Sequence, residues 1–144
     1  MGRIRSSIYY YRDILKGQKK DFKYCFNELI FDCFLKSYQD NNPLHVDDRY
    51  ARLSHFKGKV MHGAILNGFL SHFVGVVFPG KFSLLHSVDI QYKGPNYMGD
   101  EITVEASVRQ KVDSLKVVLL DVKILNLTSS EISATAKIQV GLLR

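Results

Sequence analysis

The sequence predicts an α+β domain, a long antiparallel sheet packed on one buried helix. Residues 62–77 carry Ile65, Leu66, Phe69, Leu70, Phe73, Val74 and Val77 with almost no polar face, the pattern of a helix buried all round. From Ser83 onward the hydrophobic period changes to two, as in half-buried strands. The first half reads mixed or helical and the second half reads as strands, which points to an α+β domain.

Gly17 precedes a short strand over Lys19 to Phe26, and Asn27 offers an N-cap to a helix reaching about Tyr38. That helix has Leu29, Ile30, Cys33 and Phe34 on one face. Asp40-Asn41-Asn42-Pro43 ends it, because proline pushes the residue before it out of helical angles. In the second helix, Gly68 and Gly75 each lower helicity by about 1 kcal/mol relative to alanine, tolerable where another backbone approaches. Pro79-Gly80 stops it. Beyond it, Leu84, His86, Val88, Ile90 and Tyr92 alternate with polar neighbours, as do Ile102, Val104, Ala106 and Val108. Leu115 to Leu125 is apolar on both faces at its centre, which marks a central strand. Ile132, Ala134, Ala136, Ile138, Val140 and Leu142 complete the sheet, with turns at Asp113-Ser114 and Thr128-Ser129-Ser130.

At 144 residues the chain fits one domain that buries about 70% of its unfolded surface. Its 46% hydrophobic and 24% charged residues are those of a globular protein, and neither repeats nor low-complexity tracts occur. The formal net charge is +6, unevenly spread. Residues 1–24 hold seven basic and two acidic side chains, whereas the other 120 residues hold 13 and 12. The expected organisation is a basic segment over 1–16 and a single domain over 17–144, with no nucleic-acid surface. Cys25 and Cys33 are too few for a disulfide framework and lack metal or redox spacing, so a reducing cytoplasm is expected. The apolar run from Val60 to Phe78 is broken by His62, Asn67 and His72, which argues against a membrane span, and no signal-peptide core is expected. Met1-Gly2-Arg3-Ile4-Arg5-Ser6 fits the myristoylation pattern, a short match that arises often by chance.

Asp40-Asn41-Asn42-Pro43-Leu44-His45 sets a carboxylate and an imidazole five residues apart across a proline-stiffened, non-helical turn. Both groups move or orient protons near neutral pH, although a solvated turn has the same composition. Met61-His62-Gly63-Ala64 stands where the buried helix begins, and the first N–H groups of a helix have no internal partner. Gly63 lets a carbonyl approach that end, or merely relieves packing. Asn67 and Ser71 continue from Gly63 at four-residue steps along the helix. Lys57 and Lys59 around Gly58 read as a solvated loop, and His86 as a core histidine. The spacing of His45, His55, His62 and His72 with Asp47 and Asp48 matches no metal-ligand pattern, so no metal is expected.

Ser37 to His45, followed by Val60-Met61-His62-Gly63, resembles the MaoC-like, (R)-specific enoyl-CoA hydratase family, whose signature is D-x-N-P-[LIV]-H. The resemblance runs on through Phe78-Pro79-Gly80-Lys81, Tyr92-Lys93 and Gly99-Asp100-Glu101. It implies the hot-dog fold, a sheet wrapped around one apolar helix and paired into a homodimer. It also implies Asp40 and His45 as the catalytic pair, Gly63 as oxyanion donor and Ser71 as a serine supporting the pair. The implied reaction is reversible syn addition of water to a trans-2-enoyl thioester of coenzyme A or acyl carrier protein. It needs no cofactor beyond the coenzyme A or phosphopantetheine of the substrate, and no nucleic acid or membrane partner. Asn67 departs from the small or apolar residue usual there, and His86 lies in a strand whose neighbours often line the acyl tunnel. Asn67, Phe69, Phe73, Val74 and His86 are therefore the expected substrate-binding residues. The basic segment would steer a phosphate-bearing carrier, or else is a solvated lead-in.

Two other classes remain beside the hydratase. A hot-dog thioesterase would carry its carboxylate on the central helix, and here no acid lies between His62 and Pro79. A non-catalytic acyl-binding subunit would not need Asp40, His45, Gly63 and Ser71 together.

Overall fold

The period-two half of the chain forms four of five strands in one antiparallel sheet, seen in a computed structural model that describes residues 5–144. Met1 to Ile4, most of the myristoylation pattern, lie outside the described residues. The strands are β1 (Lys19–Cys25), β2 (Ser83–Tyr92), β3 (Glu101–Val112), β4 (Val117–Asn126) and β5 (Glu131–Leu142), in the order β1-β3-β4-β5-β2. β4 is central, as its two-sided apolar centre requires. Ile102, Val104, Ala106 and Val108 of β3 meet Ala134, Ala136, Ile138 and Val140 of β5 in one core, across Leu120, Val122 and Ile124 of β4.

The helices are α1 (Glu28–Tyr38), α2 (Pro43–Val46), α3 (Asp48–Leu53) and α4 (Ala64–His72). α4 is the hub of the hot-dog arrangement. Ile65, Leu66, Phe69 and Leu70 face the sheet, and a π-helical turn over Phe73–Val77 extends it with Phe73 and Val74 buried. Burying these side chains contributes about 1.5–3 kcal/mol each, enough to outweigh the glycines in the helix. The helix is not buried all round, however. Ala64, Gly68 and Ser71 lie on its outer face and are exposed.

Local chemistry explains the agreements and the corrections. Asn27 caps α1 as expected, its Oδ1 accepting from Ile30 N–H at 2.9 Å. α1 buries Phe31 and packs Ile30 and Phe34 of the expected face against the core, while Leu29 is 68% exposed. Pro43 begins a helix where a non-helical turn was expected. It sits in the first turn of α2, where its missing N–H costs nothing, and Asn42 caps that turn by accepting from Leu44 N–H at 3.0 Å. α3 was not anticipated; Asp47 caps it by accepting from Arg49 and Tyr50 N–H at 2.8 and 3.1 Å. His86 is exposed and not a core residue. The register between β2 and β5 shifts between Leu85 and Ser87, so His86 is the extra residue of a bulge, and Gln139 Nε2 donates to its Nδ1 at 3.1 Å. Ile132 is 43% exposed, next to another register shift between β4 and β5.

Residues 7–16 belong to the same packed body as the rest. Ser7 N–H donates to Val76 O and Tyr11 N–H to Arg144 O, and Tyr11 and Ile14 are buried in the core. The Tyr11 hydroxyl donates to Asp113 at 2.7 Å; burial first, then the neighbouring carboxylate, pushes its pKa up to about 12. Lys111 Nζ donates to Tyr11 O at 2.9 Å and Ile14 O at 2.6 Å, with the ammonium 4.3 Å from the Tyr11 ring centre. Lys111→Met removes these charge-assisted bonds and is expected to destabilise the fold by about 2 kcal/mol. Chemical denaturation measures that loss, and an unchanged midpoint would show the clamp to be idle.

Candidate active site

The Asp40–His45 segment crosses the N-terminal end of α4 because Val60 holds it there at two points. Val60 N–H donates to Leu44 O at 3.1 Å, and Val60 O lies 2.7 Å from His45 Nδ1. A carbonyl can only accept, so Nδ1 carries the proton and the neutral ring keeps its lone pair on Nε2. Asp40 is half-exposed, and one oxygen accepts weakly from Asn42 N–H at 3.3 Å. A carboxylate oxygen of Asp40 and one ring nitrogen each of His45 and His62 all lie within 4.8 Å of one another. Two polar atoms at such a spacing can share a water, since each hydrogen bond spans about 2.8 Å. The same trio is the group among the described residues whose spacing could hold a metal ion, although His62 Nε2 already meets the Asp40 carbonyl oxygen at 2.9 Å.

Gly63 stands at the mouth of α4, and its N–H donates to no group among the described residues. Its N–H is unpaired at the positive end of a helix, and a Cβ here would sit 3.3 Å from the Tyr92 ring. The segment before the helix is anchored from behind by a buried polar network. Met61 N–H donates to Asn96 O at 2.8 Å, and Asn126 Nδ2 donates to Asn96 Oδ1 at 3.1 Å and to Asp100 Oδ2 at 2.8 Å. Ser133 closes the network onto Asn96. Every side chain in it is buried, so its satisfied bonds fix one position for the loop that carries His62 and Gly63.

A groove of about 880 Å³ runs along the outer face of α4, from Ala64 to Ser71, and its lining does not include Asp40, His45 or Gly63. Ile30, Cys33 and Phe34 of α1 form one wall, and Tyr92 forms the other. Tyr92 donates from its hydroxyl to Asn67 Oδ1 at 2.6 Å, and burial raises its pKa above the ordinary tyrosine value. Asn67 and Phe69 border the groove. Phe73 and Val74 point into the core instead, and His86 sits on the outer strand edge, so the structure brings none of these three to the groove. Ser71 borders the groove but makes no hydrogen bond to Asp40 or His45 among the described residues. Eight residues separate it from Gly63, about 12 Å of helix.

The residue that does touch the pair is His62, which sequence reasoning missed. Its signal was a histidine inside an apolar run, since a buried polar side chain needs a partner. The described part of the basic segment is equally displaced. Its Ser7 docks at Val76, about 20 Å along the helix from Gly63. No helix among the described residues is long and apolar enough to cross a membrane.

Residues 37–128 match the family model of the MaoC like domain. An (R)-specific enoyl-CoA hydratase of Rhodospirillum rubrum is 30% identical over 111 residues, covering 77% of each chain. One from Aeromonas caviae is 33% identical over 92 residues, covering 64% of this chain and 69% of its own. Among solved structures, the (R)-hydratase of Aeromonas caviae superposes with a TM-score of 0.83 at 27% identity, covering 91% of this chain and 98% of that one. An R-hydratase from Pseudomonas aeruginosa superposes with a TM-score of 0.84 at 22% identity, covering 92% and 84%, and supports the fold alone.

Proposed function

Because the chain belongs to the MaoC-like domain family, we propose that it is an (R)-specific enoyl thioester hydratase, adding water reversibly to trans-2-enoyl thioesters of coenzyme A or acyl carrier protein. The carrying observation is the Asp40–His45 pair beside the unpaired Gly63 N–H. The thioester oxygen accepts from Gly63 N–H, which draws electron density from C3 and stabilises the enolate, an effect typically worth about 2.7–4 kcal/mol. Asp40 accepts one O–H of the water and orients it. His45 Nε2 takes the other proton as oxygen bonds to C3, then returns it to C2 from the same face, so the elements of water add syn. The ring is regenerated, and no cofactor enters beyond the carrier of the acyl group.

The acyl chain occupies the groove beside α4, with Asn67 and Tyr92 as its polar border. Asn67→Leu replaces that border with apolar surface. It is expected to raise the kcat/KM ratio of an eight-carbon over a four-carbon enoyl-CoA by about tenfold. An unchanged ratio across the chain-length series would place the acyl group elsewhere.

The active unit is a homodimer. β2 is a sheet edge ten residues long, with Leu84 and Leu85 exposed, and a second copy adding antiparallel to it would satisfy the free backbone groups. Light scattering should return twice the mass of one chain. Both cysteines are free, in keeping with a cytoplasmic setting. The activity is tested by mixing the protein with trans-2-enoyl-CoA esters of increasing length. The expected result is loss of the conjugated enoyl absorbance without release of free thiol. Release of thiol would support a thioesterase, and no reaction on any length an acyl-binding subunit.

A further inference from the structure

We propose that His62 is a positioning residue, a fixed Nε2–H donor that holds the Asp40 backbone and shelves the His45 ring so that both face one water. The inference rests on the hydratase reading above, but its structural half stands without it. His62 is 2% exposed. Its Nε2 lies 2.9 Å from the Asp40 carbonyl oxygen and 4.0 Å from Asp40 Oδ2. The carbonyl only accepts, so Nε2 must carry the proton in the neutral ring. Nδ1 is then a bare lone pair, buried and without a partner among the described residues.

That orphan nitrogen separates His62 from a proton-transfer role. Nε2 is committed to the peptide backbone, and Nδ1 is shielded from the surface and meets no polar group among the described residues. The ring lies against His45, with centroids 4.0 Å apart and planes tilted by 32°. Phe34 and Phe31 of α1 pack on it at 4.7 and 5.7 Å between centroids. The groups facing it are thus Asp40 and His45 from the motif segment and two phenylalanines from α1. A buried lone pair is unfavourable, and an apolar ring of the same shape would avoid it. What histidine adds over phenylalanine is the Nε2–H bond to the residue that carries the carboxylate. The contact spans 22 positions of sequence and ties the motif loop directly to the helix terminus that carries Gly63.

Two variants separate the donor from the shelf. His62→Phe keeps a packing ring and loses the donor, whereas His62→Gln restores an N–H at the reach of Nε2. The Phe variant is expected to lose about a hundredfold in kcat with KM changed less than about threefold, the scale of displacing a catalytic group by about 1 Å. The Gln variant is expected to stay within about fivefold of the unmodified chain. Equal losses in both, or full activity in the Phe variant, would overturn the proposal. The tautomer is read on the unmodified chain from histidine 15N shifts, which does not depend on any variant folding. A protonated Nε2 and bare Nδ1 on His62 support the proposal, and the reverse overturns it. Absence of turnover in the unmodified chain would refute the hydratase reading instead, leaving the tautomer to decide the structural role.

Discussion

Asp40→Asn is expected to lower the hydration kcat by about three orders of magnitude, within the range by which a positioned acid or base accelerates proton transfer. The substitution is close to isosteric. The side chain is half-exposed, so the amide incurs little burial penalty, and its oxygen can still accept from Asn42 N–H. What disappears is the negative charge that orients water and balances the imidazolium forming on His45. Steady-state kinetics with a thermal melt check this. Wild-type stability with kcat reduced a thousandfold agrees, and a variant within tenfold of the unmodified chain would remove Asp40 from the chemistry.

His45→Gln is expected to have a loss of similar size for a different reason. A glutamine amide falls at the reach of Nε2 and not of Nδ1, so the bond at 2.7 Å to Val60 O that seats the side chain is lost along with the ring. It has no basic lone pair in place of Nε2, and the water loses its proton acceptor. The two residues act on one water, so their effects should not add. Asp40→Asn with His45→Gln should fall only about severalfold below either single variant, as expected of groups that work as a unit. A double variant losing the full product of the single effects would mean that the residues act independently. Circular dichroism on all three variants separates chemistry from folding.

The sequence resolved the fold wherever structure is local. Asn27 caps α1, the alternation in β3 and β5 sets the core, and the two-sided apolar centre of β4 places it mid-sheet. His86 escaped because a bulge is a property of strand pairing, invisible in one strand's own alternation. Pro43 was read as a breaker, though its effect depends on whether it precedes or opens a helical turn. Asp40 and His45 stand out in the sequence by their short spacing, and with Gly63 by a specific resemblance. His62 does not, because its bond to Asp40 and its packing on His45 exist only once α1, α2 and α4 converge. Ser71, given a supporting role by resemblance, borders the groove and makes no hydrogen bond to Asp40 or His45 among the described residues. The exposure of α4's outer face is not visible in the sequence, because Ala64 and Gly68 suit a buried helix as well as an open groove.

The stereochemistry of the product tests the central claim most directly. Crotonyl-CoA incubated with the protein in D2O should yield (R)-3-hydroxybutyryl-CoA, with deuterium at C2 on the face that received the hydroxyl, because one water held by Asp40 and His45 serves both carbons. An (S) product, deuterium on the opposite face, or no hydration would contradict the account.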